Sequence, residues 1–343
     1  MALLEVDNLH VSFPTRDGLV KAVRGVSFSI EPGRTLGIVG ESGSGKSVST
    51  QTIMGLTRGA RITGEARFEG HDLIAMSSKQ LQSIRGAKVG MIFQDPLSSL
   101  HPYYRVGWQI AEMIRAHDES QDKKQAKARA VDLLRLVGIP QPDRRVDDFP
   151  HQFSGGMRQR AMIAMAMALN PALLIADEPT TALDVTVQAQ VLEVMLRLQA
   201  EFGTAIIMIT HDLGVVADMA DDVMVMYAGA VMEQADRYGT FIASHHPYTE
   251  GLLRSLPAYG GARQRLHSIA GQPPSLINLP TGCPFHPRCP YVFDRCRSET
   301  PPLARVAGEG HHLSACWLPR DAERRAAARV QVLGPAEPAA SEA

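Results

Sequence analysis

Eight residues near the N-terminus have the types and the spacing of a phosphate-binding loop. They follow the apolar run 36–39 and fit the pattern G-x-x-x-x-G-K-[ST]. They are Gly40, Glu41, Ser42, Gly43, Ser44, Gly45, Lys46 and Ser47. Glycines let backbone N–H groups approach phosphate oxygens, and the helix expected after the loop points its positive end at the same anion. Lys46 would reach the β- and γ-phosphates and the Ser47 hydroxyl would bind Mg²⁺, so the loop predicts a bound ATP with magnesium.

Two carboxylates and a histidine stand where a parallel sheet would gather them. Asp177 and Glu178 end the apolar run 173–176, and His211 follows the apolar run 205–210. Parallel strands end at the same edge of a sheet, so we expect all three side chains near the phosphate loop. Asp177 would hold Mg²⁺, Glu178 would orient or deprotonate the attacking water, and His211 would contact the γ-phosphate or that water. A solvated loop position is the ordinary alternative for His211.

The hydrophobic pattern predicts the elements that must position these groups. Alternating apolar and polar residues within the first 30 positions indicate strands. Between about residues 95 and 138 apolar residues recur every three or four positions, which is typical of helices. Further helices are expected over 47–56, 156–170 and 187–202, and strands over 172–176 and 205–210. Strands that alternate with helices favour an α/β fold with a parallel sheet.

Composition and charge limit the possible classes of protein. A length of 343 residues suggests about two domains, and 45% hydrophobic residues suffice for a core. The net charge of −1 gives no electrostatic reason to expect nucleic-acid binding. We find neither a run of roughly 18 apolar residues nor a signal-peptide pattern, so we expect the chain to stay in the cytosol.

Further motifs resemble those of the ATP-binding cassette (ABC) transporter ATPases. Residues 153–160, Phe-Ser-Gly-Gly-Met-Arg-Gln-Arg, resemble the signature of that family, Gln94 resembles its Q-loop residue, and Asp184 ends a stretch that resembles its D-loop. All motifs occur in the family's order over about residues 3–235. The resemblance implies a P-loop ABC fold with a mainly parallel sheet, N-terminal antiparallel strands and an inserted helical subdomain at about 95–160.

The resemblance also implies roles for these residues. Gln94 would assist at the catalytic centre and at Mg²⁺, and Asp184 would belong to the nucleotide site. Phe13 matches the aromatic residue that stacks on adenine, with a place in the strand core as the alternative.

The signature forms a second cradle for an anion on the same chain. Ser154, Gly155 and Gly156 precede an expected helix, so they offer a hydroxyl and unobstructed N–H groups. One nucleotide hardly needs two such cradles, which favours two cassettes facing head to tail. The family resemblance implies the same arrangement, with each ATP between the phosphate loop of one cassette and the signature of the other.

Three passages, at 94–102, 246–253 and 279–290, resemble the ATPases of oligopeptide and dipeptide importers. This implies an ATPase that powers peptide import, from the cytoplasmic face of the bacterial inner membrane, with nickel or glutathione as alternative cargo. The implied partners are a second, related but non-identical ABC ATPase, two transmembrane permeases and an extracytoplasmic binding protein, with no nucleic acid.

Two other classes compete with this interpretation. A soluble cassette ATPase acting on nucleic acid or ribosomes usually carries two cassettes or a long coiled-coil insertion, and neither is evident here. A purely structural nucleotide-binding subunit would not need Lys46, Asp177, Glu178 and His211.

All four cysteines lie in a C-terminal region rich in proline and glycine. They are Cys283, Cys289, Cys296 and Cys316, spaced C-x5-C-x6-C-x19-C. Structural zinc sites usually have cysteines closer together in sequence, whereas a [4Fe–4S] cluster accepts wider spacing. We therefore expect a [4Fe–4S] cluster that cross-links this region of the chain. Zinc remains an alternative, as do free thiols or an occasional disulfide.

Three nearby histidines and the composition complete the expectations for this region. His286, His311 and His312 could complete a mixed zinc site but are interpreted as surface residues. We predict a cassette over 1–235, an extension over 236–320 and a loose tail over 321–343.

Overall fold

The structure is a computed structural model that describes residues 2–95, 99–181, 183–256 and 268–318. Its strands are β1 (Leu4–Thr15), β2 (Gly18–Ile30), β3 (Thr35–Val39), β4 (Arg61–Phe68), β5 (His71–Asp72), β6 (Val89–Ile92), β7 (Leu173–Asp177), β8 (Ala205–Thr210), β9 (Asp222–Tyr227), β10 (Ala230–Asp236), β11 (Ala304–Arg305) and β12 (Leu313–Ser314). Its α-helices are α1 (Lys46–Ile53), α2 (Ser78–Ile84), α3 (Val106–His117), α4 (Lys123–Leu136), α5 (Pro142–Arg145), α6 (Gly155–Ala166), α7 (Val185–Phe202), α8 (Leu213–Met219), α9 (Arg237–Phe241), α10 (Pro247–Arg254) and α11 (Asp294–Ser298).

An eight-stranded sheet forms the centre of the described chain. Its strands lie in the order β11-β12-β10-β9-β3-β8-β7-β6, and the run from β9 to β6 is parallel. The strand β3, which precedes the phosphate loop, therefore pairs with β8, and β8 pairs with β7. The predicted α/β fold with a mainly parallel sheet is confirmed.

The central strands are buried on both faces, which explains their nearly continuous apolar sequence. In β7, Leu173 and Ile175 pack into one hydrophobic cluster, whereas Leu174 and Ala176 pack into the other. Side chains of a strand alternate between its two faces, so each strand contributes to both cores. Packing on both faces therefore holds β7, and with it Asp177 at the end of that strand, in place within the sheet.

A second, antiparallel sheet covers one face, as the family resemblance implied. Its order is β2-β1-β4-β5, and β1 pairs with both β2 and β4. Strand β4 also pairs with β5, which completes this sheet.

The inserted helical region packs against the other face. Helices α3, α4 and α6 contribute Ile110, Ile114, Leu133, Leu134 and Met162 to the core on that side. Predicted element boundaries were displaced by up to four residues: α6 ends at Ala166, before the expected residue 170, and α7 begins at Val185, before the expected 187. Asp184 accepts a hydrogen bond from the backbone N–H of Val187, which explains the earlier start.

The C-terminal part of the described chain is continuous with the central sheet. Strand β12 pairs with β10, and β11 pairs with β12. Around it, Tyr248, Phe285, Cys283 and Cys296 pack into a third hydrophobic cluster together with Tyr227 of β9. The predicted division between residues 235 and 236 thus falls within a strand, and the predicted tail, 321–343, lies outside the described residues.

No helix in the described part of the chain has both the length and the apolar character needed to cross a bilayer.

Candidate functional site

The phosphate-binding loop joins β3 to α1 at the carboxyl end of the parallel sheet. Gly45 has a φ of 99°, and a Cβ added there would lie 2.3 Å from the carbonyl oxygen of Ala22. Gly40 has a φ of 151°, and its added Cβ would lie 2.1 Å from the carbonyl oxygen of Met226. Neighbouring backbone thus leaves no room for a larger residue at either position, which fixes the path of the loop.

Lys46 is buried at the start of α1, and its side chain turns back to contact the backbone of the phosphate loop. Its Nζ donates hydrogen bonds to the carbonyl oxygens of Gly40 (2.7 Å) and Glu41 (3.0 Å). Burial lowers the pKa of this ammonium group, although nearby carboxylates oppose the shift. A phosphate at the loop would give the charge a stronger partner than two carbonyl oxygens.

Asp177 and Ser47 meet across the end of the sheet. The Ser47 hydroxyl donates to Asp177 Oδ1 at 2.7 Å, and Gln51 Nε2 donates to Oδ2 at 3.4 Å. Burial raises the pKa of Asp177 despite these hydrogen bonds. The buried carboxylate and the hydroxyl supply oxygen ligands, which are the ligands that Mg²⁺ prefers, and a bound Mg²⁺ would stabilise the ionised carboxylate.

Glu178 is the centre of a polar cluster. Its Oε2 accepts hydrogen bonds from Gln94 Nε2 (2.8 Å) and Thr181 Oγ1 (2.9 Å), and its Oε1 lies 3.4 Å from His211 Nδ1. The structure therefore brings together three residues from the ends of three separate strands. In it the Gln94 amide contacts Glu178 rather than the Ser47–Asp177 pair.

The signature residues stand apart from this cluster. Ser154 caps α6 by accepting a hydrogen bond from the backbone N–H of Met157 at 3.3 Å. An added Cβ at Gly155 would meet nothing within 4 Å, whereas one at Gly156 would lie 2.5 Å from a methyl group of Val187. In the described chain no hydrogen bond joins Ser154 to the loop 40–47.

Two further candidates have structural contacts. Asp184 caps α7, and Phe13 is half-buried against the core next to the antiparallel sheet. Ala182 of the D-loop and residues 96–98 of the Q-loop passage lie outside the described residues.

The four cysteines line one small cavity together with His246, His286, Tyr291 and Trp317. All are free thiols, and Cys283 and Cys296 are buried. Burial raises the pKa of Cys283 to about 11 and that of Cys316 to about 12, and it also raises the pKa of Cys289. The thiolate is the form that binds metal, so these thiols would lose their protons to an incoming cation.

The interpretation of His312 as a surface residue is wrong. Its ring is buried, with Nε2 2.7 Å from Glu233 Oε1 and Nδ1 2.9 Å from Glu309 Oε2. His245 Nε2 also lies 2.6 Å from Glu309. Burial alone would lower the pKa of His312, but the hydrogen bonds and charges of Glu233 and Glu309 together outweigh burial, so the pKa is raised. The residue is buried because β12 adds to the central sheet, which the sequence pattern did not indicate; His311 next to it is exposed.

The sequence analysis also missed a contact between the C-terminal region and the phosphate loop. Arg288 donates to both carboxylate oxygens of Glu41, at 2.6 and 2.9 Å. The backbone N–H of Glu41 donates to the Tyr248 hydroxyl at 2.8 Å. The available signal was an arginine within the distinctive passage 279–290, but nothing in the sequence links it to a residue 247 positions away.

Comparison with protein families gives two matches. Residues 23–181 match the family model described as ABC transporter. Residues 232–296 match the model described as oligopeptide/dipeptide transporter, C-terminal region.

Similar proteins include ATP-binding proteins of dipeptide and oligopeptide transport. The dipeptide transport ATP-binding protein DppD of Escherichia coli (strain K12) is 50% identical over 323 residues, which cover 94% of this chain and 98% of that protein. The oligopeptide transport ATP-binding protein OppD of Bacillus subtilis (strain 168) is 52% identical over 326 residues, which cover 94% and 90%.

Among solved structures, a dimeric ATP-binding cassette in a post-hydrolysis state with bound ADP and Pi is similar with a TM-score of 0.62 and 25% identity. The match covers 68% of this chain and 98% of that one.

Proposed function

The chain belongs to the family of ATP-binding subunits of dipeptide and oligopeptide ABC transporters, and we propose that it hydrolyses ATP to power the import of peptides. The observation that carries this proposal is the juxtaposition of the Ser47–Asp177 pair with the Glu178 cluster at one edge of the sheet. A phosphate-binding loop alone would support binding. The added carboxylate, with an amide and an imidazole around it, supports hydrolysis. No observation favours action on nucleic acid or ribosomes.

The loop fits a nucleotide with magnesium by its own polar groups. Ser44 Oγ is buried and has no hydrogen-bond partner in the described structure, and Lys46 has only carbonyl partners. We propose that the backbone N–H groups of the loop and Lys46 hold the phosphates, while Ser47 and Asp177 hold Mg²⁺. The ion would neutralise charge on the phosphate oxygens as hydrolysis proceeds.

The catalytic roles divide around Glu178. Its carboxylate would orient and deprotonate the attacking water, because it is the acceptor at the centre of the cluster. His211, whose side chain is 60% exposed, would contact the water or the γ-phosphate from the open side. Gln94 would position Glu178 through its amide and assist at the metal, and Phe13 would stack on the base.

We further propose that two cassettes act together. Ser154 begins a helix whose Gly155 faces open space, which supports a second phosphate contact supplied by the neighbouring subunit, with Asp184 at the same interface. The partner cassette would be a related subunit. Two permeases would span the membrane, a binding protein would deliver the peptide outside, and this chain would lie on the cytoplasmic face. Nickel or glutathione would be alternative cargo.

For the four cysteines we propose a [4Fe–4S] cluster, with zinc as the alternative. A tetrahedral zinc with bonds of about 2.3 Å holds its sulfurs ~3.8 Å apart. In the described part of the chain, the only set of three or more potential ligand atoms that all lie within 4.8 Å of one another consists of His245, Glu309 and His312, so no three cysteine sulfurs meet that limit. The ground for proposing a cluster is that all four cysteines line one cavity and are widely spaced along the chain, C-x5-C-x6-C-x19-C. Its role would be structural, within an extension proposed to run over 236–320 after a cassette over 1–235.

Uptake in cells tests the proposed function. A strain that lacks this chain should fail to take up a radiolabelled dipeptide, and the wild-type chain should restore uptake. The variant Glu178→Gln should not restore it at equal expression. Undiminished uptake in the deletion strain would refute peptide import, whereas purified protein without ATPase activity in the assembled transporter would refute the enzymatic part.

A further inference from the structure

We infer that Arg288 is a positioning residue for the nucleotide site: it holds the phosphate-binding loop through Glu41, so the C-terminal extension sets the affinity for ATP. This inference rests on the proposed function. Arg288 belongs to the cysteine-containing loop, and its side chain is only 4% exposed. It therefore reaches the cassette through the interior of the protein rather than across solvent.

Every N–H group of the Arg288 guanidinium has an acceptor. Nη1 donates to Glu41 Oε2 (2.6 Å) and the Tyr227 hydroxyl (3.3 Å), and Nη2 donates to Glu41 Oε1 (2.9 Å) and the carbonyl of Ile269 (3.3 Å). Nε donates to the carbonyl oxygen of Ala270 at 2.9 Å. Arginine carries five such donors in a rigid planar fork, whereas lysine has three on a single nitrogen. The site is thus built for arginine.

Each polar group of Glu41 forms a hydrogen bond within the protein. Its carboxylate accepts from Arg288, its backbone N–H donates to the Tyr248 hydroxyl, and its carbonyl oxygen accepts from Lys46. Tyr248 is fully buried in α10, which also belongs to the extension. Two separate elements of the extension therefore hold one residue, which immediately follows Gly40 in the phosphate loop.

The anchoring elements form one packed unit. Tyr227, Tyr248 and Phe285 have ring centroids 4.7 to 5.3 Å apart, and the Arg288 guanidinium lies 5.7 Å from the Tyr227 ring centroid. Loss of Arg288 would leave the partly buried Glu41 carboxylate without its charged partner. The loop 40–45 would then be less restricted before ATP binds. Part of the binding free energy would have to order the loop, so the affinity for ATP would fall.

Arg288 also lies directly before Cys289. The backbone N–H of Arg288 donates to the carbonyl of Phe285, and that of Cys289 to the carbonyl of His286. The loop that the proposed cluster would hold is therefore the loop that carries the arginine.

The experiment measures ATP binding and hydrolysis by the purified assembled transporter. We expect Arg288→Ala to raise the Kd for ATP by ~5- to 150-fold, the usual range for coupling between sites. We expect Arg288→Lys to give an intermediate increase because it keeps the charge but loses the fork. The rate at saturating ATP should stay within about threefold of the wild-type rate, since Glu178 and His211 are unchanged. Arg297→Ala is the matched control, because Arg297 is exposed and directly follows Cys296. The Kd of this variant for ATP should equal that of the wild type.

A double-variant cycle tests the route through Glu41. Glu41→Gln should also weaken ATP binding, and the combined variant should be no weaker than the worse single one, because both remove the same contact. Additive effects would overturn the inference, as would an unchanged Kd in folded Arg288→Ala. If Arg288→Ala does not fold, the Kd of Arg288→Lys decides: a wild-type value overturns the inference. Wild-type protein that binds no ATP would instead refute the proposed function.

Discussion

Replacement of Glu178 by glutamine separates catalysis from binding in this site. Glu178 Oε2 accepts from both Gln94 and Thr181, and a glutamine side-chain oxygen can occupy the same place. The amide NH₂ would then face His211 Nδ1, which accepts a hydrogen bond in the neutral tautomer that carries its proton on Nε2. We therefore expect the free energy of unfolding to change by less than about 1 kcal/mol, since no hydrogen bond needs to be lost.

Hydrolysis should respond far more strongly than stability. An amide cannot take the proton of the attacking water, and general base catalysis contributes ~10²- to 10⁴-fold to the rate. The expected loss corresponds to about 2.7 to 5.5 kcal/mol in the activation barrier. Lys46, Ser47 and Asp177 are untouched, so the affinity for ATP should be retained and the closed pair of cassettes should accumulate with ATP bound.

The assay is single-turnover release of phosphate, with ATP affinity measured on the same sample. Glu193→Gln serves as the control, because Glu193 is an exposed glutamate on α7. A hydrolysis rate within threefold of the wild type would refute the role given to Glu178. So would a variant that is inactive only because it no longer binds ATP.

Four more outcomes follow from the contacts described above. Lys46→Ala should weaken ATP binding ~10- to 100-fold in calorimetry, because each charge-assisted hydrogen bond contributes about 1.5–3 kcal/mol; an unchanged Kd would contradict its phosphate contact. Gly45→Ala should lower the melting temperature more than Gly43→Ala, since only the former forces a Cβ against backbone, and equal shifts would count against the steric argument. Cys289→Ser should reduce bound iron and sulfide and lower the melting temperature; a colourless protein with stoichiometric zinc would favour the alternative metal. Because the pKa of His312 is raised in the folded protein, protonated His312 stabilises the fold below its unfolded pKa of about 6.5, and this stabilisation is lost as the pH rises through the folded pKa. Amide hydrogen exchange near β12, corrected for the intrinsic pH dependence of exchange, should therefore accelerate with rising pH in the wild type. The acceleration should be smaller in His312→Gln.

The parts of the site that follow one another along the chain could be predicted from the sequence. The loop 40–47 has a local pattern, and so do the apolar strands that end at Asp177 and before His211. Parallel pairing then brings strand ends to one edge without further information. This explains why the neighbours of the loop could be predicted before any coordinates, while their individual hydrogen bonds could not.

Long-range contacts of the C-terminal region could not be predicted in this way. Strand β12 has only two residues, too few for a hydrophobic period, yet it pairs with β10 and buries His312. The Arg288–Glu41 pair joins the 3₁₀ helix His286–Arg288 to the phosphate loop, and neither segment is long enough to carry a periodic signal that indicates a partner. Both contacts depend on the tertiary arrangement of short segments, which composition described only as rich in proline and glycine.

A single turn of the backbone gives the neighbouring carboxylates of Asp177 and Glu178 different hydrogen-bond partners. Asp177 is the last residue of β7 and lies 3% exposed against Ser47 and Gln51. Glu178 has a φ of 49°, in the left-handed region, and its backbone N–H still donates to the carbonyl of Ile209. This conformation ends the strand abruptly and directs the second side chain to Gln94 and away from the first carboxylate's partners. In an extended strand the two side chains would point to opposite faces of the sheet. The strained turn, which costs of order 1–3 kcal/mol, therefore gives the two neighbouring carboxylates different partners: the one proposed to hold Mg²⁺ contacts Ser47, and the one proposed to activate water contacts Gln94.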